Sequence, residues 1–154
     1  MDRIEEVKGA VEKIIIAAPP GDQRAAHIHL YGVAQFCALL AMKRGLDVGL
    51  CTIAGLLHDC ATYATGSPAS HAHRGAALAR ELLATTGLFT AGEIEEVSAA
   101  IYAHSDKGGQ YGGVAGVLMD ADVLQHCLAD PLKPPALGEQ ARFHALRQEL
   151  GLGA

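Results

Sequence analysis

No stretch of this chain alternates apolar and polar residues with a period of two. Between its breaks, apolar residues return every three to four positions, which confines the chain to packed helices. Ile4, Val7, Val11, Ile14 and Ile15 mark a first helix over 3–17, stopped by Pro19-Pro20-Gly21. Asp22 is expected to cap a long helix over about 23–44, ended by Gly45. A third helix is expected over about 48–60. Ser67-Pro68 opens a fourth, which Gly87 closes. Thr90 with Glu93 forms a capping box for a fifth, ending near His104. Gly108, Gly109, Gly112 and Gly113 predict a mobile loop before a sixth helix over about 114–129. Pro131, Pro134 and Pro135 precede a short last helix over about 137–150. The expectation is an all-α, single-domain helical bundle of about six to seven helices over 1–154, with 3–17 and 137–150 peripheral.

A chain of 154 residues can bury a core without disulfides or a structural metal. Aromatic residues are 5% and Trp is absent, so that core must rest on Leu, Ile, Val and Ala. The net charge is −5 and no Lys/Arg run occurs, which argues against a nucleic-acid partner. A small anionic substrate stays open, because a bound cation reverses the local field. Cys37, Cys51, Cys60 and Cys127 form no C-x-x-C pair and read as small hydrophobes of a reducing compartment. Residues 1–13 mix acidic, basic and apolar side chains, unlike a signal peptide. No uninterrupted apolar run reaches membrane-spanning length. The expectation is a cytoplasmic protein with no membrane partner, with homo-oligomerisation left open.

The chemistry lies in the placing of eight histidines. His58-Asp59 follows the apolar run Ile53-Ala54-Gly55-Leu56-Leu57. His29, His71, His104 and Asp122 lie beside apolar residues on four further helices. Burying so many imidazoles and carboxylates is costly unless they pair or bind a metal, and convergence on a metal accounts for all of them together. His27, His73 and His126 read as flanking residues and His144 as a surface one. Gly32, Gly55 and Gly75 each lie within one turn of a candidate ligand, where they permit close helix approach. Tyr31, Tyr63, Tyr102 and Tyr111 read as core or rim packing. Asp120 and Asp122 lie about 200° apart on their helix and cannot face the same metal. Asp122 shares its face with His126 and is the expected ligand.

The order His29, His58-Asp59, His71, His104, Asp122 resembles the HD-domain phosphohydrolase superfamily. Gly55-Leu56-Leu57-His58-Asp59 resembles its central motif, and the resemblance covers about 24–128. It implies a helical bundle around one or two divalent ions, drawn from Fe, Mn, Co, Zn or Mg. His29, His58, Asp59 and Asp122 would hold the first ion. His71 and His104 would hold a second, with Asp59 bridging. The implied activity is hydrolysis of a phosphate ester or anhydride of a nucleotide or small phosphorylated metabolite, with His58 and Asp59 catalytic. In ligand order the chain is similar to the symmetrical dinucleoside tetraphosphate hydrolases. Where nucleoside monophosphatases of the superfamily carry Glu, and many other members Lys, this chain has Thr62, a candidate substrate contact. Lys107 is expected to contact substrate phosphate in that Lys's stead, and not the metal. A non-catalytic HD module that binds a nucleotide or partner, and a di-iron oxygenase, are the alternatives.

Overall fold

The computed structural model describes residues 2–153. Asp2 accepts from the Ile4 and Glu5 amides and starts α1 (Arg3–Ala17). This helix is not peripheral. Val7, Val11 and Ile15 are fully buried, because their one-turn spacing puts them on a single stripe against α4 and α5.

The second helix begins earlier than expected. Pro19 occupies the cap position, and Pro20 opens α2 (Pro20–Ala26). A proline in the first turn lacks only an N–H that would be unpaired anyway, so Asp22 lies inside the helix and caps nothing. The helix continues through one π turn (His27–Tyr31) into α3 (Gly32–Arg44). Among the described residues, Pro20–Arg44 is the helix long and apolar enough to cross a membrane, its four charged residues lying near its two ends. Its face of Leu30, Val33, Cys37, Leu40 and Ala41 is instead buried in the core, and α3 packs on α4 and α8.

Capped by Asp47, α4 (Val48–Leu57) buries seven of its ten residues, from Leu50 to Leu57, and lies at the centre of the bundle. It ends at Leu57. His58 and Asp59 form a turn before α5 (Cys60–Thr65), so the single helix expected over 48–60 is broken at the His-Asp pair. The next helix, α6 (His71–Thr86), starts after Ser70, whose φ of 51° is left-handed, and not at Ser67. Arg74 explains the delay: it donates to Thr65 Oγ1 and the Ser67 carbonyl, at 2.8 and 2.6 Å, and holds the segment in a turn. The Thr90–Glu93 capping box opens α7 (Ala91–Ala103). α8 (Gly113–Ala129) follows, and a 3-10 turn (Leu137–Glu139) leads into α9 (Gln140–Glu149).

The fold is all-α, and seven segments reach ten residues: α1, α3, α4, α6, α7, α8 and α9. Helices α3, α4, α7 and α8 pack on one another, with α1, α6 and α9 against them. Two glycines set the closest approaches. A Cβ on Gly55 would meet the Ala34 backbone at 2.7 Å, and one on Gly75 would meet the His58 carbonyl at 2.8 Å. The packing of α3 on α4, and of α6 on the His-Asp turn, therefore requires hydrogen at these positions.

Candidate metal centre

The six expected ligands reach the centre from five places in the chain. His29 sits in the π turn, where the extra residue changes the angular position of its side chain. His58 and Asp59 leave the broken end of α4. His71 opens α6, His104 caps α7, and Asp122 lies midway along α8. His58 is wholly buried, while His104 and Asp122 are 2% and 3% exposed.

The structure brings all six together. His29 Nε2 lies 3.0 Å from both His58 Nε2 and Asp59 Oδ2, and 3.5 Å from Asp122 Oδ1. His58 Nε2 lies 3.4 Å from Asp59 Oδ2 and 3.6 Å from Asp122 Oδ1. On the other oxygen of Asp59, Oδ1, His104 Nε2 stands at 3.3 Å and His71 Nε2 at 3.8 Å. Donors about 2.0–2.2 Å from an ion, at 90–109° to each other, sit about 2.8–3.6 Å apart, so most of these spacings match the edges of a coordination polyhedron. Four overlapping triads have ligand atoms within 4.8 Å of one another: His29–His58–Asp59, His58–His104–Asp122, His29–Asp122–His126 and Asp59–His71–His104. None contains both carboxylates, and His104 joins Asp122 as well as Asp59.

The outer nitrogens of the rings fix how the inner ones face. Nδ1–H of His58 donates to the Gly55 carbonyl at 2.8 Å, that of His104 to Ile101 at 2.6 Å, and that of His71 to Pro68 at 3.2 Å. His29 Nδ1 lies 2.6 Å from the Gln125 side-chain oxygen. A carbonyl only accepts, so Nδ1 carries the proton, and in the neutral ring the Nε2 lone pair is left facing the centre. This is the tautomer that an imidazole ligand needs. The carboxylates fit as well. Asp59 Oδ1 and Asp122 Oδ1 are buried and accept no hydrogen bond, an expense that a cation removes.

Charge points the same way. Burial opposes ionisation of Asp59 and Asp122, yet the neighbouring imidazoles hold both carboxyls well below the usual range. His58 is fully buried, which disfavours its charge, but the Asp59 carboxylate and the contact with Asp122 push it up to about 10. Burial pushes His104 down. Two buried carboxylates thus demand compensating positive charge, which a divalent cation meets. A mixed imidazole–carboxylate set fits such an ion.

Lys107 lies nearer the cluster than expected. Its ammonium pairs with Asp122 Oδ2, leaving Oδ1 free to face the imidazoles. Thr62 lies one turn past Asp59 on α5. His126, expected beside Asp122, sits with Nε2 3.3 Å from Asp122 Oδ1, its ring stacked on His29 at 5.2 Å and its Nδ1 2.8 Å from Glu139. His27 turns away to Glu12 and the Gln23 carbonyl, His73 stacks on Tyr102, and His144 is exposed. Tyr31 donates to Glu12, and half-exposed Tyr111 to Asp106. Asp120 is occupied elsewhere: its oxygens accept from Arg44 and Arg142, each at 2.7 Å.

Sequence reasoning missed Gln125, Glu139 and Arg142. A buried glutamine in an apolar helix is a readable signal, but nothing local links Glu139 or Arg142 to the site.

No curated protein sequence and no solved structure matches the chain. The family model for the HD domain matches residues 27–127. That segment spans well over half the chain and holds His29, the His58-Asp59 pair, His71, His104 and Asp122, so the chain belongs to the HD-domain family.

Proposed function

We propose that this chain is a metal-dependent phosphohydrolase acting on a nucleotide or another small phosphorylated metabolite. Divalent metals and, for the most part, hydrolytic activity are what its family brings. One observation carries the reading. Four imidazoles turn Nε2 inward, their outer nitrogens held on oxygen atoms, around two carboxylates that each keep a buried oxygen without a hydrogen bond.

In this reading His29, His58, Asp59 and Asp122 would hold one ion, and His71 and His104, with Asp59, would hold a second. A bound divalent ion lowers the pKa of water to about 7 and neutralises phosphoryl oxygens. The chain's own residues do the rest. Asp59 sits between the two imidazole groups, where its carboxylate orients an attacking water by accepting a hydrogen bond from it. Asp122 fixes the Lys107 ammonium at the edge of the cluster, and the remaining N–H groups of that ammonium bind phosphoryl oxygens. His126, half-exposed and steadied by Glu139, stands at the same edge.

The test combines metal analysis with phosphate release. Nucleotides, dinucleotides and sugar phosphates are assayed with Mn, Fe, Co and Mg in turn. Wild-type protein should carry divalent metal and release phosphate from at least one class. His58→Ala and Asp59→Ala should lose metal and at least about 100-fold in kcat/KM. Unchanged metal in both variants overturns the site, and oxygen uptake without phosphate release overturns the reaction class.

A further inference from the structure

We propose that Arg142 on α9 is a positioning residue that presents Lys107 to the substrate phosphate. This rests on the reading of Lys107 given above. Arg142 lies outside the segment matched to the HD domain. Its Nη1 donates to Asp120 Oδ1 at 2.7 Å, while Nη2 donates to the carbonyls of Lys107 and Gly109 at 3.0 and 2.9 Å. Arg44 holds the other oxygen of Asp120 and also pairs with Glu149 of α9. Lys107 is therefore gripped at both ends by α8: its ammonium by Asp122, and its main chain by Asp120 acting through the guanidinium.

The segment needs such a grip. It runs Lys107-Gly108-Gly109, and glycines have the most backbone freedom to lose. A lysine carried on a loose loop must be ordered each time it meets a phosphate, and that entropy is charged against affinity. The clamp prepays it. The guanidinium meets the carboxylate with one nitrogen and both carbonyls with the other, whereas a lysine ammonium offers its donors from a single point, so lysine at 142 reproduces the clamp only in part.

The experiment uses metal-loaded protein, inorganic phosphate as probe, and hydrogen exchange of residues 105–113. Arg142→Ala should speed exchange in that segment and weaken phosphate binding by about tenfold, with metal content unchanged. Arg142→Lys should recover less than half of that loss on a logarithmic scale. Lys107→Ala should weaken binding as much, and adding Arg142→Ala to it should weaken it no further. Arg147→Ala, which removes another guanidinium of α9 that takes no part in the contacts to Asp120, Lys107 and Gly109, should leave phosphate affinity at the wild-type value. Unchanged exchange in Arg142→Ala, additive losses in the double variant, or an equal loss in Arg147→Ala overturns the clamp. Unchanged affinity in Lys107→Ala overturns instead the substrate role of Lys107 on which the proposal rests.

Discussion

Asp120 and Asp122 carry the same side chain two positions apart on α8, and their neighbours give them different roles. Asp122 faces imidazoles and keeps one oxygen without a hydrogen bond, whereas Asp120 is enclosed by Arg44 and Arg142. Asp122→Asn should therefore strip most of the metal, while Asp120→Asn should retain it and cost about 1–3 kcal/mol of stability. Elemental analysis beside urea unfolding separates the two, and metal loss from Asp120→Asn would contradict the assignment. Gly55 gives a second residue-scale test. A methyl there has to displace the Ala34 backbone, so Gly55→Ala should destabilise by about 1–3 kcal/mol and weaken metal binding by moving His29 against His58. Unaltered denaturation and metal content would show that α3 and α4 yield more easily than their spacing implies. At this scale the clustering of the six candidate residues was legible because each is a histidine or aspartate placed near small or apolar residues on a helix or at its end. Gln125, Glu139 and Arg142 were not, because their importance comes from partners 96, 13 and 35 positions away, to which no spacing rule applies.

Helices were legible wherever periodicity and stop signals agreed, as at Gly45, Gly87 and the Thr90–Glu93 box. They were misread at three boundaries: Pro20 starting its helix without a side-chain cap, Arg74 holding Ser67 in a turn, and α4 breaking at His58. The glycine-rich loop expected to be mobile is instead tied to α9 by Arg142. The π turn was invisible, since its residues carry no composition that separates them from an ordinary helix. It is testable as an element. Removing Ile28 should restore regular α-helical bonding through 27–31 while turning the preceding segment by about 100° relative to α3. Circular dichroism should then show undiminished helix, with metal binding altered at least tenfold by the disturbed setting of His29. Wild-type metal affinity in the deletion variant would show that the π turn has no part in aiming that ring.

Across the whole molecule, one hydrophobic cluster runs from Val7 on α1 to Leu146 on α9, and the helices packed in it carry the candidate ligands to one centre. Chelation should therefore act on the entire fold and not on a loop. With free ion at about 100–1,000 times its dissociation constant, binding contributes about 3–4 kcal/mol, or roughly 6–15 °C in Tm for a chain of this length. Calorimetry with and without chelator measures it, and an unshifted transition would mean that the ion binds the unfolded chain equally well or does not bind. The convergence also sets a limit on dissection. Ninety-three positions separate His29 from Asp122, and no cut between them leaves both on one piece. Two fragments produced by cleavage in the 130–136 segment would divide the labour unevenly, one keeping every donor and the other only the brace. Mixing them and following metal uptake would turn the assembly of the bundle into a titration, with the ion reporting how many molecules had found their missing half.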